Sequence, residues 1–220
     1  MIETILPAAA ATAEAFDDPP GLTLFPEEEA VIAKAVAKRR REFTTTRACA
    51  RTALARLGLP PVPIVPGERG APQWPAGVVG SMTHCAGYRA CAVARDRDLL
   101  TIGLDAEPHG QLPEGVLGAV SLAEERERLA ALAGAGPGTH WDRILFSAKE
   151  SVYKAWFPLT QRWLGFADAS VTIDPDHGTF TVRLLVDGPE LEDGPLTGFT
   201  GRWLVDADLI ITAIAVPRTS

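Results

Sequence analysis

The chain has 220 residues, 46% of them apolar and 22% charged, enough to bury a core in one large domain or in two compact halves. A net charge of −7 argues against a nucleic-acid partner, which requires a basic surface. The basic residues are instead local, gathered in KRRREFTTTRACAR, a pattern suited to a small anionic ligand or to a solvated helix face.

The first stretch, MIETILPAAAATAEAF, is apolar but carries Glu3 and Glu14 and has no basic leader, so it does not read as a signal peptide. No apolar run approaches the roughly 20 residues a membrane span needs. Cys49, Cys85 and Cys91 are odd in number and lack CxxC spacing, which speaks for reduced thiols and against a disulfide framework or a zinc site. A soluble, cytoplasmic protein is expected.

DDPPGLTLFPEEEA reads as a turn and a helix start with acids in the first turn. The helical pattern then runs from Glu27 to Leu57, with an interruption expected at Thr44 to Thr46 because three β-branched residues weaken a helix. Gly58 ends it, with Pro60 and Pro61 beyond. PVPIVPGERGAPQWPAG is a proline-glycine loop, and GVVGSMTHCAGYRACAVARD is a hairpin-like pair of strands around THCAGY. LLTIGLDAEPHG is a strand that runs out at Pro108.

A helix is predicted near Leu122 to Ala133, capped by Ser121. HWDRILFSAKESVYKAWFP is the strongest helical pattern, with Asp142 as its cap and Pro158 as its stop. The tail alternates in ASVTIDP, TFTVRLLVDG, GFTGRWLV and LIITAIAV, the mark of an antiparallel sheet. The fold class is α+β, with a boundary just before Thr101 that divides the chain into 1–100 and 101–220.

Three places carry chemistry. Asp105 and Glu107 lie two apart at the end of an apolar strand and so share one face. Paired carboxylates there hold a hard cation such as Mg²⁺, with the Ala106 carbonyl assisting if the chain bends before Pro108; solvated acids at a strand end are the plainer reading. Glu150 and Lys154, four apart in FSAKESVYKAW, share one helix face either as a surface salt bridge or as two parts of a site. In the second case Glu150 adds a third carboxylate and Lys154 a cation for phosphate. His84, beside Thr83 in GSMTH, can donate to a phosphate oxygen or serve as a structural histidine. The Gly77, Gly80, Ser81 spacing is not a nucleotide-binding Walker loop, since it has no lysine and no following helix.

Taken in order, GERGAPQWPAGVVGSMTHCAGY, TIGLDAE and FSAKESVYKAW, preceded by the arginine-rich helix, resemble the 4′-phosphopantetheinyl transferases of the Sfp type. Within them the chain is similar to the enterobactin-synthetase component D-like subgroup and its actinobacterial PptT-like enzymes. The resemblance implies transfer of the phosphopantetheine arm of coenzyme A to a serine of an apo acyl, peptidyl or aryl carrier protein, with 3′,5′-ADP as the other product. It implies Mg²⁺, replaceable by Mn²⁺, and coenzyme A as substrate in a cleft between two similar α/β halves related by a pseudo-two-fold. A monomer is expected, without nucleic-acid or membrane partners.

Carried over residue by residue, the resemblance makes Asp105, Glu107 and Glu150 metal ligands, with the Ala106 carbonyl assisting. Lys154 falls on the coenzyme A phosphates, and Asp105, Glu150 and Lys154 carry catalysis. Thr83 and His84 match a pair that contacts the nucleotide phosphates, with Thr83 in place of the commoner serine. Arg39, Arg47 and Arg51 match basic positions for the 3′-phosphate and base, and Gly67, Glu68 and Arg69 the loop beside the adenine nucleotide. Leu164 falls where the arm is lined, and Glu124 near an acidic position by the metal. The carrier is expected to dock on apolar residues near WFPLTQRWLGF. Two rival classes also predict nucleotide binding: a non-catalytic coenzyme A or nucleotide module, and a Mg²⁺-dependent phosphohydrolase.

Overall fold

A computed structural model describes residues 1–134, 138–206 and 208–218. A three-stranded antiparallel sheet has β1 (Ala11–Ala15) and β2 (Val78–Cys85) on either side of β3 (Tyr88–Arg95). The helix α2 (Ala37–Arg56) covers it, burying Cys49, Ala50, Ala53 and Leu54 against Ile64, Cys91 and Val93. A five-stranded antiparallel sheet follows. Its order is β4 (Leu99–Pro108), β10 (Leu209–Pro217), β9 (Gly198–Asp206), β6 (Thr179–Leu184) and β5 (Ala169–Asp174). The short strands β7 (Glu190–Leu191) and β8 (Gly194–Pro195) make a separate ladder.

The helix α5 (Trp141–Thr160) packs across the five-stranded sheet. Its apolar residues recur at helical spacing, Ile144, Leu145, Ala148, Val152, Ala155 and Trp156, and all six are buried. α5 lies unusually close to β4 because Gly103 faces it: a Cβ there would sit 2.0 Å from the Ser151 carbonyl oxygen. The Thr101 hydroxyl adds a bond to the Ala155 carbonyl, 2.9 Å.

β4 is the edge of its sheet, and two side chains of β2 complete it. Ser81 Oγ accepts from the Leu104 N–H and Thr83 Oγ1 from the Ala106 N–H, both at 3.0 Å. Alternate residues of a strand point the same way, so one face of β2 stands in for the missing neighbour strand. The two sheets are thereby joined where Asp105 and Glu107 leave β4.

The hairpin around THCAGY, the strand ending at Pro108 and the alternating tail strands form as the sequence predicts. Five features differ. Thr44 to Thr46 do not interrupt α2, since the Thr44 and Thr46 hydroxyls bond back to the Arg40 and Glu42 carbonyls, 2.8 and 2.7 Å, within the helix. The break falls earlier, between α1 (Pro26–Val31) and α2.

Ser121 does not cap α4 (Ala123–Leu132): its hydroxyl donates to the Leu117 carbonyl of α3 (Val116–Val120), and Glu125 instead accepts from the Leu122 N–H at 2.7 Å. Asp142 lies inside the first turn of α5, where it accepts the Leu112 N–H at 2.8 Å. Pro158 does not stop α5, because so near the end a proline forfeits few helical bonds; Gln161, at φ 54°, closes the helix on the Phe157 carbonyl. The stretch containing β1 carried no strand expectation, yet it pairs with β3 from Ala11↔Val93 to Ala15↔Arg89. The three cysteines are unpaired, and among the described residues no helix is long and apolar enough to cross a membrane.

Candidate active site

Asp105 sits 5% exposed beneath α5, and both of its oxygens are engaged. Oδ1 accepts from Lys154 Nζ at 2.8 Å and from the Thr83 hydroxyl at 3.4 Å, and Oδ2 accepts from the Ser147 hydroxyl at 2.8 Å. Lys154 also donates to the Leu104 carbonyl, 3.0 Å. The partner of Lys154 is therefore Asp105 across the helix–strand contact, not Glu150 one turn away on its own helix. Behind Asp105 lies a fully buried hydroxyl cluster of Ser147, Ser151 and Thr212, in which Ser147 Oγ and Thr212 Oγ1 are 2.9 Å apart.

Glu107, on the same face of β4, is turned to Arg143 at 2.9 Å. Arg143 is itself fixed by the Gly110 and Gln111 carbonyls, 2.9 and 2.8 Å. Burial, then the charge of Asp105, raises the Glu107 carboxyl above its usual range against the opposing pull of Arg143. Glu150 is raised by the same two causes in the same order. The three carboxylates are thus close enough to repel one another.

Their donor chemistry, carboxylate oxygens joined by a backbone carbonyl, fits a hard cation. The Ala106 carbonyl lies on the β2-facing edge with its own N–H, without the bend expected before Pro108, since pairing with β10 continues to Pro108↔Leu209. The carboxylates do not yet converge: among the described residues no three His, Cys, Asp or Glu side chains are grouped closely enough to hold a metal ion. Lys154 and Arg143 stand as their counter-ions.

Three cavities run along the cleft and share lining residues. A central one of about 480 Å³ is lined by Gly67, Glu68 and Arg69 on one side and by Glu150, Tyr153 and Lys154 on the other. A second, about 360 Å³, is lined by Arg39, Arg47, Thr83 and His84 and shares Gly70, Pro72 and Met82 with the first. A slot of about 140 Å³ between α5 and the segment 163–169 is lined by Glu150, Tyr153, Leu164 and Phe166.

The cations around the cleft differ in freedom. Arg39 meets the His84 ring at Nε2. Packing around that ring, and then the Arg39 guanidinium, hold the imidazole below its usual pKa. Arg47 is buried, bonded to the Ile64 carbonyl at 2.6 Å and stacked 3.9 Å from the Phe43 ring centre, and burial lowers it to about 10. Arg69 adopts the left-handed conformation, φ 52°, which holds its guanidinium 5.4 Å from the Trp163 ring centre. Such backbone outliers collect at ligand-binding sites.

Two expected residues lie apart from this group. Arg51 is tied to the buried Glu28 at 2.9 Å and to the Thr23 carbonyl at 2.7 Å, where it braces the loop before α1 and lines none of the three cavities. Glu124 bonds to the Ser170 hydroxyl and pairs with Arg128 at 3.7 Å, and it too lines none of the three cavities. The sequence reading missed Ser147, Thr212, Arg143 and the buried Lys149–Glu125 pair. Ser147 and Lys149 stand in FSAKES itself, but nothing in that stretch marks their partners in distant elements.

Comparison with known proteins identifies the family. The family model of the 4′-phosphopantetheinyl transferase N-terminal domain matches residues 27–94, and that of the 4′-phosphopantetheinyl transferase superfamily matches residues 101–195. The chain is 60% identical to the 4′-phosphopantetheinyl transferase Svp of Streptomyces mobaraensis, over 98% of this chain and 89% of the relative. It is 52% identical to PptT of Mycobacterium tuberculosis, over 98% of each. It is 56% identical to Npt of Nocardia iowensis, over 98% of this chain and 99% of the relative. The chain belongs to the 4′-phosphopantetheinyl transferase family.

Proposed function

We propose that the chain moves the 4′-phosphopantetheine arm of coenzyme A onto a serine of apo acyl, peptidyl or aryl carrier proteins in the cytoplasm, releasing 3′,5′-ADP. One observation supports the reading: Glu150 lines both the central cavity and the apolar slot, and Lys154, which lines the central cavity, pairs with Asp105 at 2.8 Å. In this assignment residues 1–100 supply nucleotide contacts, and residues 101–220 supply the carboxylates and the slot. Arg39, Arg47 and His84 hold the 3′-phosphate side, and the Gly67–Glu68–Arg69 loop covers the nucleotide. Lys154 grips the pyrophosphate, and the arm lies in the slot against Leu164.

The carrier serine oxygen bonds to the β-phosphorus as the pyrophosphate P–O bond on the ADP side breaks. Glu150 takes the serine proton. Its hydrogen-bond capacity is unused among the described residues, so it works through proximity to the serine hydroxyl more than through basicity. Lys154 steadies the phosphate and can give a proton to the leaving oxygen. Asp105, Glu107, Glu150 and the Ala106 carbonyl would hold Mg²⁺, which supplies charge neutralisation on the pyrophosphate when bound. No nucleophile is required of this chain, since the attacking serine belongs to the carrier. Trp163, 60% exposed at the mouth of the slot, is assigned to the carrier-facing surface.

Asp105→Ala and Glu150→Ala should each abolish transfer while the protein stays folded, read by product mass and by thermal melting. Wild-type rates in Asp105→Ala would overturn the assignment.

A further inference from the structure

Lys149 precedes Glu150 in α5 and lines the same slot, with a side chain only 2% exposed. Its ammonium has three N–H donors and uses them all, on the Glu125 carboxylate at 2.8 Å, the Phe166 carbonyl at 2.6 Å and the Ala169 carbonyl at 2.9 Å. Glu125 is equally committed, accepting also from the Leu122 N–H at 2.7 Å and the Val171 N–H at 2.8 Å. One buried ion pair therefore ties the start of α4, the middle of α5 and the turn into β5. A buried pair of this kind contributes little net stability over apolar residues of the same size, so its value lies in the geometry it enforces.

That geometry concerns the slot. Phe166 and Ala169, whose carbonyls Lys149 grips, form the wall opposite Glu150, and Leu164 stands in the same wall. We infer that Lys149 is a positioning residue: with Glu125 it sets the gap between the 163–169 wall and Glu150, and so fixes the path of the pantetheine arm and the preference for coenzyme A over nucleotides without an arm. This rests on the reading of the slot as the arm's site.

The arm gives a direct test, because 3′,5′-ADP shares the nucleotide and lacks the arm. Calorimetry with both ligands is run on wild type, on the double variant Lys149→Met/Glu125→Gln, which leaves no unpaired buried charge, and on Lys149→Arg. Both variants should melt cooperatively. They should bind 3′,5′-ADP within about twofold of wild type, bind coenzyme A about tenfold more weakly, and show a matching rise in KM for coenzyme A. Equal losses for the two ligands, or no loss for either, would overturn the role of Lys149. If the double variant does not fold, the same ratio in Lys149→Arg decides. Leu164→Trp, which fills the slot, separates the underlying reading. Unchanged coenzyme A affinity in Leu164→Trp removes the slot and this inference together. A selective loss in Leu164→Trp alone removes only the role of Lys149.

Discussion

Both oxygens of Asp105 are held: Lys154 and Thr83 donate to one and Ser147 to the other. Ser147 is in turn fixed by Thr212, so a buried hydroxyl pair orients the carboxylate from behind. Ser147→Ala should cost about 1.5–3 kcal/mol in denaturant unfolding, as expected for a lost buried bond to a charged group. It should also lower kcat/KM about tenfold, because the carboxylate is released from its set angle. Wild-type values in both measurements would show that Asp105 needs no such support.

His84 makes a pH prediction. Its ring is 39% exposed and partly desolvated, and it faces the charges of Arg39, Lys154 and Arg89, opposed by Glu42. The folded chain therefore binds fewer protons here than the unfolded chain, whose imidazole titrates near about 6.5. Stability is lost as pH falls below that value and through the lower folded pKa. His84→Asn should flatten the acid-side fall in melting temperature between about pH 7 and 5, and an unchanged slope would contradict the assignment.

At the level of elements, the site depends on how near α5 lies to β4. Gly103 permits that approach, and any Cβ there meets the Ser151 carbonyl. Gly103→Ala should destabilise the protein by about 1–3 kcal/mol, the usual range for overpacking. It should also lengthen the Lys154–Asp105 contact, so transfer falls further than stability explains. Full activity in a folded Gly103→Ala protein would count against the close packing.

The same elements show what a sequence discloses. α5, β4, the hairpin and the tail strands were legible because periodicity and turn residues agreed with tertiary packing. β1 was not, since ATAEA has few β-formers and becomes a strand by pairing with β3. Thr44 to Thr46 and Pro158 misled because the propensity rules see neither hydroxyl back-bonding nor nearness to a helix end. At the site, residue types and spacing pointed to Asp105, Glu150, Lys154 and His84. That Lys154 pairs with Asp105, that Arg143 claims Glu107 and that Arg51 turns to Glu28 depend on contacts between elements, which leave no local signal.

Across the whole molecule, an acidic chain of net charge −7 concentrates Arg39, Arg47, Arg69 and Lys154 around one cleft. Field lines focused there favour a polyanion, and partial burial limits screening by salt. The cleft joins a cationic side fit for a nucleotide to an apolar slot fit for an arm, with Glu150 lining both the central cavity and the slot. That order along the cleft is what a transferase needs and what a simple binding module does not.

The most direct measurement is the intact mass of an apo carrier protein incubated with the enzyme, coenzyme A and Mg²⁺. A gain of one phosphopantetheine on the carrier serine is expected, dependent on Asp105 and Glu150, with 3′,5′-ADP released in equal amount. Coenzyme A breakdown without carrier modification, or no reaction at all, would contradict it.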